Sequence, residues 1–338
     1  MVNIFEFSNI KENRETFFYI KIINFSGDYL DSLLNCVDGN NEVLQAVLKS
    51  VAKTGIEIPE LRVKENEGYE EKLNRTYSLD AQKLNDCFLQ IVREWTVRGE
   101  QERKDCFEPV LNELLSHFPD EENRAEISVL VPGCGLARLP FEIAKHGFTT
   151  FGNEKDFFQL FLGSFIMNEI SRKDDYRFYP WIHDLKNRMS MKDVTTPIPF
   201  PDIDPSERPD NFQFNMIPGD FLKVVQDEDL PEGSFDVIIT TFFLDSTQLL
   251  EYIDALAKLL KPEGLWINFG PLNFSSEDPF AMPLNMFKSL LKNEYKFEFV
   301  KDEMVETTYG QSSEVNSMFC LNLNCAFWTC KKHLKEEE

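Results

Sequence analysis

The sequence is poor in basic residues, in histidine and in paired cysteines. Its 35 Lys and Arg stand against 58 Asp and Glu, which gives a formal net charge of −23, and it contains 4 His. A charge of this sign repels nucleic acid and anionic lipid, so neither is an expected partner. The 7 Cys are an odd number and form no Cys-x-x-Cys pair, which disfavours both a disulfide framework and a zinc site. We therefore expect no metal and a reducing compartment.

Long apolar runs are also missing. No apolar stretch reaches the roughly 20 residues of a membrane span, and the N-terminal stretch has neither the basic start nor the apolar core of a signal peptide. We expect an intracellular protein of the cytoplasm, with the nucleus as an alternative, that does not bind membranes. Apolar residues still make up 42% of the chain and include 31 Phe, enough for a large aromatic core.

The first third of the chain predicts a helical N-terminal region, residues 1–120. Apolar residues at helical spacing predict a helix over 31–55 and two more within 78–118. Residues 1–75 are otherwise poorly determined by their pattern.

The remaining residues, 121–338, alternate between strand and helix patterns. This alternation predicts an α/β domain with a mostly parallel, doubly wound sheet. Two strand-like runs, 295–309 and 316–332, predict an antiparallel edge at the C-terminal end. An irregular insert at 179–211, rich in Pro and Asp, interrupts the alternation. Such an insert is either a functional lid or binding loop, or a solvent-exposed excursion.

The stretch VLVPGCGLARLPFEIAKHGF, residues 129–148, reads as a strand, a tight turn and a helix. Gly133 and Gly135 stand at the carboxyl end of the strand, where doubly wound sheets bind ligands. Glycine there permits positive φ and the close approach of a ligand. A dinucleotide fingerprint needs a third glycine where this chain has Arg138, so an NAD-dependent oxidoreductase is disfavoured. Two glycines alone leave a plain strand-to-helix turn as the alternative.

Acidic residues end the next two predicted strands. Glu154 follows Gly135 by 19 residues and can accept the ribose hydroxyls of an adenosine. Asp220 and Phe221 end the third strand and can meet the adenine amino group and ring. Either acid could instead be a helix cap or a turn former. Together with the glycine turn they predict an adenosine without a diphosphate, and S-adenosylmethionine is the common cofactor of that kind.

Longer motifs carry a specific resemblance. The segments LVPGCGLARLPFEIAKHGF, GNE, YPWIH, GDF, FFLD and LKPEGLWINFGPL occur in the order seen in the carnosine N-methyltransferase family, over roughly residues 80–332. The resemblance implies a Rossmann-like class I methyltransferase fold with an added helical N-terminal region. It also implies transfer of a methyl group from S-adenosylmethionine to an imidazole nitrogen of carnosine, which gives anserine.

The resemblance further implies how the cofactor is bound. Its strand-end residues would be Gly133 with Gly135 in the same turn, Glu154, Asp220 and Phe221. Two more would come from the segment GEQERKDCF, residues 99–107. Arg103 would pair with the cofactor carboxylate in a charge-assisted bond, or else form an ion pair on the helix surface. Gln101 stands one place after the family's glutamine.

The substrate side matches less fully. Asp245 in FFLD matches the family's substrate-binding aspartate. A carboxylate there would fix the imidazole tautomer and stabilise the imidazolium that develops. The alternative is that Asp245 caps a helix. His183 in YPWIH is a catalytic candidate or a structural histidine. Ser275 stands where the family has a substrate-contacting histidine, and Asn322 near the place of its tyrosine.

These departures leave several functions open. The substrate is expected to be carnosine or a related imidazole compound or histidine-containing dipeptide. The alternatives are a protein-histidine methyltransferase and a cofactor-binding scaffold without carnosine activity. The expected partner is a small molecule, and a homodimer is left open.

Overall fold

The computed structural model describes residues 27–55, 83–182, 185–227, 230–244, 248–273, 280–310 and 317–333. The N-terminal region is helical in its described part, as predicted. Its helices are α1 (Gly27–Thr54), α2 (83–95), α3 (Glu100–Cys106) and α4 (Glu108–His117), with one 3₁₀ turn at Val97–Gly99 between α2 and α3. The two helices expected within 78–118 are therefore three.

A seven-stranded sheet forms the centre of the molecule. The strands are β1 (Ser128–Pro132), β2 (Thr149–Glu154), β5 (Gln213–Pro218), β6 (Phe235–Thr241), β7 (Leu260–Gly270), β8 (Phe297–Thr308) and β9 (Asn322–Lys332). Their order is β5-β2-β1-β6-β7-β9-β8. The first five are parallel, whereas β9 runs antiparallel to β7 and to β8. The expected parallel sheet with an antiparallel C-terminal edge is confirmed.

In the part of 121–338 that the structure describes, six helices accompany the strands: α5 (Arg138–Lys145), α6 (Phe157–Glu169), α7 (Met191–Thr195), α8 (Phe221–Gln226), α9 (Leu249–Leu259) and α10 (Leu284–Asn293). Helix α9 ends at Leu259 and β7 begins at once, because Pro262 cannot continue a helix. Helix α10 was not predicted. Among the described residues, no helix has the length and apolar character needed to cross a membrane.

Side chains of the central strands alternate between two cores, as the pleat of a strand requires. In β1, Val129 and Val131 join one core, whereas Leu130 joins the other. The first core also takes in Phe88 and Trp95 of α2. The helical region thus shares a core with one face of the sheet, and the domain boundary at 120 stays a prediction.

The insert is packed into the protein at some of its described residues. Trp181 and Phe200 are buried, and β4 (Ile198–Phe200) of the insert forms a small antiparallel sheet with β3 (Tyr176–Phe178), which ends just before the insert begins. Asn40 of α1 binds the backbone of Tyr179 twice: its side-chain amide donates to the carbonyl at 3.0 Å and its oxygen accepts from the N–H at 2.6 Å. The solvent-exposed alternative is therefore wrong for these residues, because aromatic side chains anchor the insert to the helical region.

Strand order reverses beside β1. The chain passes from β1 to β2 on one side and later places β6 on the other. Such a point opens a crevice at the carboxyl ends of the strands, which is where open α/β sheets bind their ligands. The glycine turn follows β1 directly at this crevice.

Candidate active site

The glycine turn after β1 has a backbone that favours glycine. Gly133 and Gly135 have φ of +63° and +60°, a region that side chains rarely adopt. A Cβ on Gly133 would lie 2.7 Å from the ring of Phe243, and one on Gly135 would lie 2.6 Å from Oε1 of Glu94. Both glycines are therefore required by the turn itself and by the neighbours packed on it.

Glu154 at the end of β2 is bonded to this turn. Its Oε2 accepts the N–H of Gly135 at 3.0 Å. Its Oε1 accepts the N–H groups of Lys155 at 2.8 Å and of Asp156 at 2.9 Å. The carboxylate is 8% exposed, so it is held in one orientation at the strand ends.

Asp220 lies beside Glu154 because their strands are neighbours. The register of β2 and β5 pairs Glu154 with Pro218, two residues before Asp220. Asp220 is half-buried and caps α8, where its side chain accepts the N–H of Lys223 at 3.4 Å. The cap expected as an alternative is thus present. The ring of Phe221 is buried, 5.8 Å from the ring centroids of Phe243 and Tyr252.

Arg103 is engaged with protein groups. Its guanidinium donates to the carbonyl of Arg93 at 2.6 Å and to that of Thr96 at 2.9 Å, and it pairs with Asp202 at 2.5 Å. The ion-pair alternative is thus present, although the pair is largely buried instead of lying on the helix surface. Gln101 is exposed and donates to Asp105 at 2.8 Å. The binding of cofactor by Arg103 and Gln101 stays a prediction.

Glu94 is a site residue that the sequence analysis missed. This α2 side chain is 2% exposed and accepts the N–H of Leu136 at 3.3 Å and that of Arg138 at 3.0 Å. Burial raises the pKa of its carboxyl above the ordinary value. The available signal was an acid between Val92 and Trp95, two residues of an apolar helix face.

The end of β6 has a different character. Phe242 has a φ of +51° and donates its N–H to the carbonyl of Phe269 at 2.9 Å. Its ring stacks on Tyr309, with centroids 4.2 Å apart and planes 24° from parallel. The guanidinium of Arg93 lies 4.4 Å from the centroid of the Tyr309 ring and donates to its hydroxyl at 3.2 Å. Tyr309 was not singled out from the sequence.

Three predicted site residues, His183, Asp245 and Ser275, lie outside the described residues. Asn322 is exposed at the start of β9. Because β9 runs antiparallel to β7 and pairs Ala326 with Gly270, Asn322 lies at the edge where the parallel strands end. In the described part of the chain, no three or more His, Cys, Asp or Glu side chains are grouped so that they could hold a metal ion.

The reversed sheet order, the glycine turn and the two strand-end carboxylates together define a Rossmann-like methyltransferase. The family model for carnosine N-methyltransferase matches residues 70–334. The chain therefore belongs to the carnosine N-methyltransferase family, which confirms the resemblance seen in the motifs. The expected enzyme class and cofactor, an N-methyltransferase that uses S-adenosylmethionine, are confirmed as well.

Individual relatives cover most of the chain. A curated carnosine N-methyltransferase of Rattus norvegicus is 35% identical over 83% of this chain and 70% of its own length. One of Schizosaccharomyces pombe is 35% identical over 74% of this chain and 70% of its own. A solved magnesium protoporphyrin IX methyltransferase of Synechocystis, with S-adenosylmethionine bound, covers 79% of this chain and 99% of its own at 12% identity, with a TM-score of 0.42.

Proposed function

We propose that this protein transfers the methyl group of S-adenosylmethionine to an imidazole nitrogen of carnosine or a related histidine-containing dipeptide. The observation that carries the proposal is the pair of carboxylates, Glu154 and Asp220, at the ends of neighbouring strands beside the glycine turn. The relatives named carnosine N-methyltransferase supply the substrate class.

The described residues fit the nucleoside part of the cofactor. A carboxylate has about four acceptor positions. Oε2 of Glu154 accepts from Gly135, which leaves it an acceptor position for a ribose hydroxyl. Asp220, half-buried one strand away, would accept the adenine amino group, and the N–H at the start of α8 lies beside it. When bound, the cofactor supplies an electrophilic methyl group on a cationic sulfur.

The chain's part in the reaction is mainly to position the acceptor, because methyl transfer is an in-line displacement. In the proposal, the stacked rings of Phe242 and Tyr309 form an aromatic wall beside the imidazole. In the proposal, the Asp245 carboxylate accepts the N–H of one imidazole nitrogen, so that the other presents its lone pair to the methyl. As that nitrogen is alkylated, the same carboxylate stabilises the positive charge.

His183, Ser275 and Asn322 complete the proposed substrate side. His183 would act as a catalytic histidine from the insert. Ser275 and Asn322 would bind the dipeptide in place of the family's histidine and tyrosine. We further propose a cytoplasmic or nuclear location and leave a homodimer as a possible assembly; fractionation of cells and light scattering of the purified protein test these two points.

The test is methyl transfer to carnosine followed by mass spectrometry of the product. Wild-type protein should add one methyl group to the imidazole. Asp245→Asn should lower turnover by about 100-fold or more, as for the loss of one group that stabilises developing charge, while the Kd for the cofactor stays within about twofold because the sulfonium site is untouched. Asp210→Asn, an exposed acid of the insert, is the matched control.

Two outcomes would contradict the proposal. Equal loss of turnover and cofactor binding in Asp245→Asn would make Asp245 structural. Cofactor binding without any methylation of carnosine or other histidine dipeptides would point to a scaffold, or to a protein-histidine methyltransferase if histidine in a polypeptide is methylated instead.

A further inference from the structure

A buried carboxylate occupies the anion position of the glycine turn. Glu94 accepts the N–H groups of Leu136 and Arg138, one on each oxygen, and Gln90 also donates to it. These N–H groups belong to the turn and to the first residue of α5, whose opening amides have no partner within the helix. A side chain of the helical N-terminal region thus accepts hydrogen bonds from the N–H groups at the start of a helix in the sheet domain.

The same position holds a phosphate in dinucleotide-binding sheets, where a glycine turn leads into a helix. Here the chain's own carboxylate takes the amides that a phosphate would need. Arg138, which stands in place of the third glycine of the dinucleotide fingerprint, is held in the same network. Its guanidinium donates to the carbonyl of Glu94 at 2.7 Å and to Asp202 at 2.6 Å. A diphosphate would find these N–H groups already bonded to Glu94, and its negative charge would be repelled by that carboxylate.

A second carboxylate increases the negative charge at this turn. Glu154 accepts the N–H of Gly135, and Oε1 of Glu94 lies 2.6 Å from the place of a Cβ on Gly135. Cys134 lies next to Gly135, and burial, followed by the charges of Glu154 and Glu94, raises the pKa of its thiol well above the ordinary value. Charges act over longer distances in such a buried setting than in water.

We propose that Glu94 is a specificity-determining residue of the cofactor site, which rejects phosphate-bearing nucleotides and strengthens the binding of a cationic sulfonium. Its role is electrostatic in addition to structural: the carboxylate replaces the anion that other nucleotide cofactors bring with them. The inference rests on the proposed function, because the sulfonium is the charged centre of S-adenosylmethionine.

The test compares ligands that differ in charge. S-adenosylhomocysteine has the shape of the cofactor without the methyl group and its positive charge, and ADP supplies a diphosphate. In calorimetry, Glu94→Gln should raise the Kd for S-adenosylmethionine about tenfold, as for the loss of one charge attraction through protein. The Kd for S-adenosylhomocysteine should change by less than about threefold, the size expected for one neutral hydrogen bond. ADP should bind the variant more tightly than it binds wild type.

Matched variants make the result decisive. Glu122→Gln, an exposed acid of the 3₁₀ helix Glu121–Glu126, should leave all three affinities unchanged. If Glu94→Gln does not fold, Glu94→Ala titrated with formate takes its place: formate should restore affinity for S-adenosylmethionine and leave that for S-adenosylhomocysteine nearly constant.

Equal weakening of the two adenosyl ligands, or equal restoration by formate, would show that Glu94 only supports the turn and would overturn the inference. Wild-type protein that binds neither adenosyl ligand would overturn the proposed function as well. The two failures are thus distinguishable in the same set of titrations.

Discussion

The two sides of the crevice are built from different kinds of contact. At the ends of β1, β2 and β5, hydrogen bonds tie the backbone to carboxylates: Gly135 to Glu154, and Leu136 and Arg138 to Glu94. At the ends of β6 and β7, an aromatic stack of Phe242 on Tyr309 takes their place. The first side holds fixed polar groups, whereas the second holds stacked aromatic rings.

The difference indicates which substitutions each side of the crevice tolerates. A backbone turn that needs glycine at two places and buried acids at others tolerates few substitutions, because unpaired buried polar groups are costly. An aromatic wall accepts other rings and other polar groups around it at smaller cost. We therefore expect relatives to share the same residues on the cofactor side. Residues such as Ser275 and Asn322 on the substrate side should differ among relatives and set which substrate is bound.

The largest loss of cofactor binding is expected from a substitution of Glu154. Glu154→Gln keeps the size of the side chain but removes the charge that accepts three backbone N–H groups and, in the proposal, a ribose hydroxyl. Bonds to a charged acceptor contribute about 1.5–3 kcal/mol each, so we expect the cofactor Kd to rise by roughly 30-fold or more. Calorimetry with S-adenosylmethionine measures it.

Glu108→Gln is the control for that change, because Glu108 is exposed in the first turn of α4. It should bind the cofactor as wild type does. Unchanged cofactor affinity in a folded Glu154→Gln protein would show that the ribose is held elsewhere. A melting curve by circular dichroism separates this result from simple unfolding.

The sheet could be predicted from the sequence because strand and helix patterns are local. Buried strands such as β1 and β6 contain runs of apolar residues. Glu154 is the last residue of β2, and Asp220 follows the end of β5 by two residues. The motifs that carry the family resemblance lie in these same segments.

The contacts between distant segments could not be predicted in this way. Glu94 meets Leu136 across 42 positions of sequence, and Arg93 meets Tyr309 across 216. Tyr309 was not predicted as a site residue, because only the fold brings it to Phe242. Arg103 likewise has its partner Asp202 in the insert, 99 positions away.

A weaker effect is expected on the aromatic side. Tyr309→Leu removes the ring that stacks on Phe242, and an aromatic pair contributes about 0.5–1.5 kcal/mol beyond its buried area. We expect KM for carnosine to rise by roughly fivefold to tenfold, with the cofactor Kd within about twofold of wild type, since the loss falls on acceptor binding. Steady-state kinetics with mass-spectrometric detection give both values.

Tyr309→Phe is the companion variant, since it keeps the ring and loses only the hydroxyl that accepts from Arg93. If Tyr309→Phe has a KM close to that of wild type, the higher KM of Tyr309→Leu results from the loss of stacking. If Tyr309→Leu weakened the binding of the cofactor as much as that of the substrate, the aromatic side would not act on the substrate alone. The contrast between the two sides of the crevice would then fail.

The smallest expected effect concerns thiol reactivity. Six of the seven cysteines are buried, Cys134 in the glycine turn among them, whereas Cys320 before β9 is exposed. A thiol reacts as the thiolate, and burial raises the pKa of Cys134 and so suppresses it. We expect one thiol per native chain to react rapidly with a chromogenic disulfide, and Cys320→Ser to abolish that phase. Rapid labelling of Cys134 in folded protein would mean that the turn opens to solvent, contrary to the tightly bonded cofactor side described above.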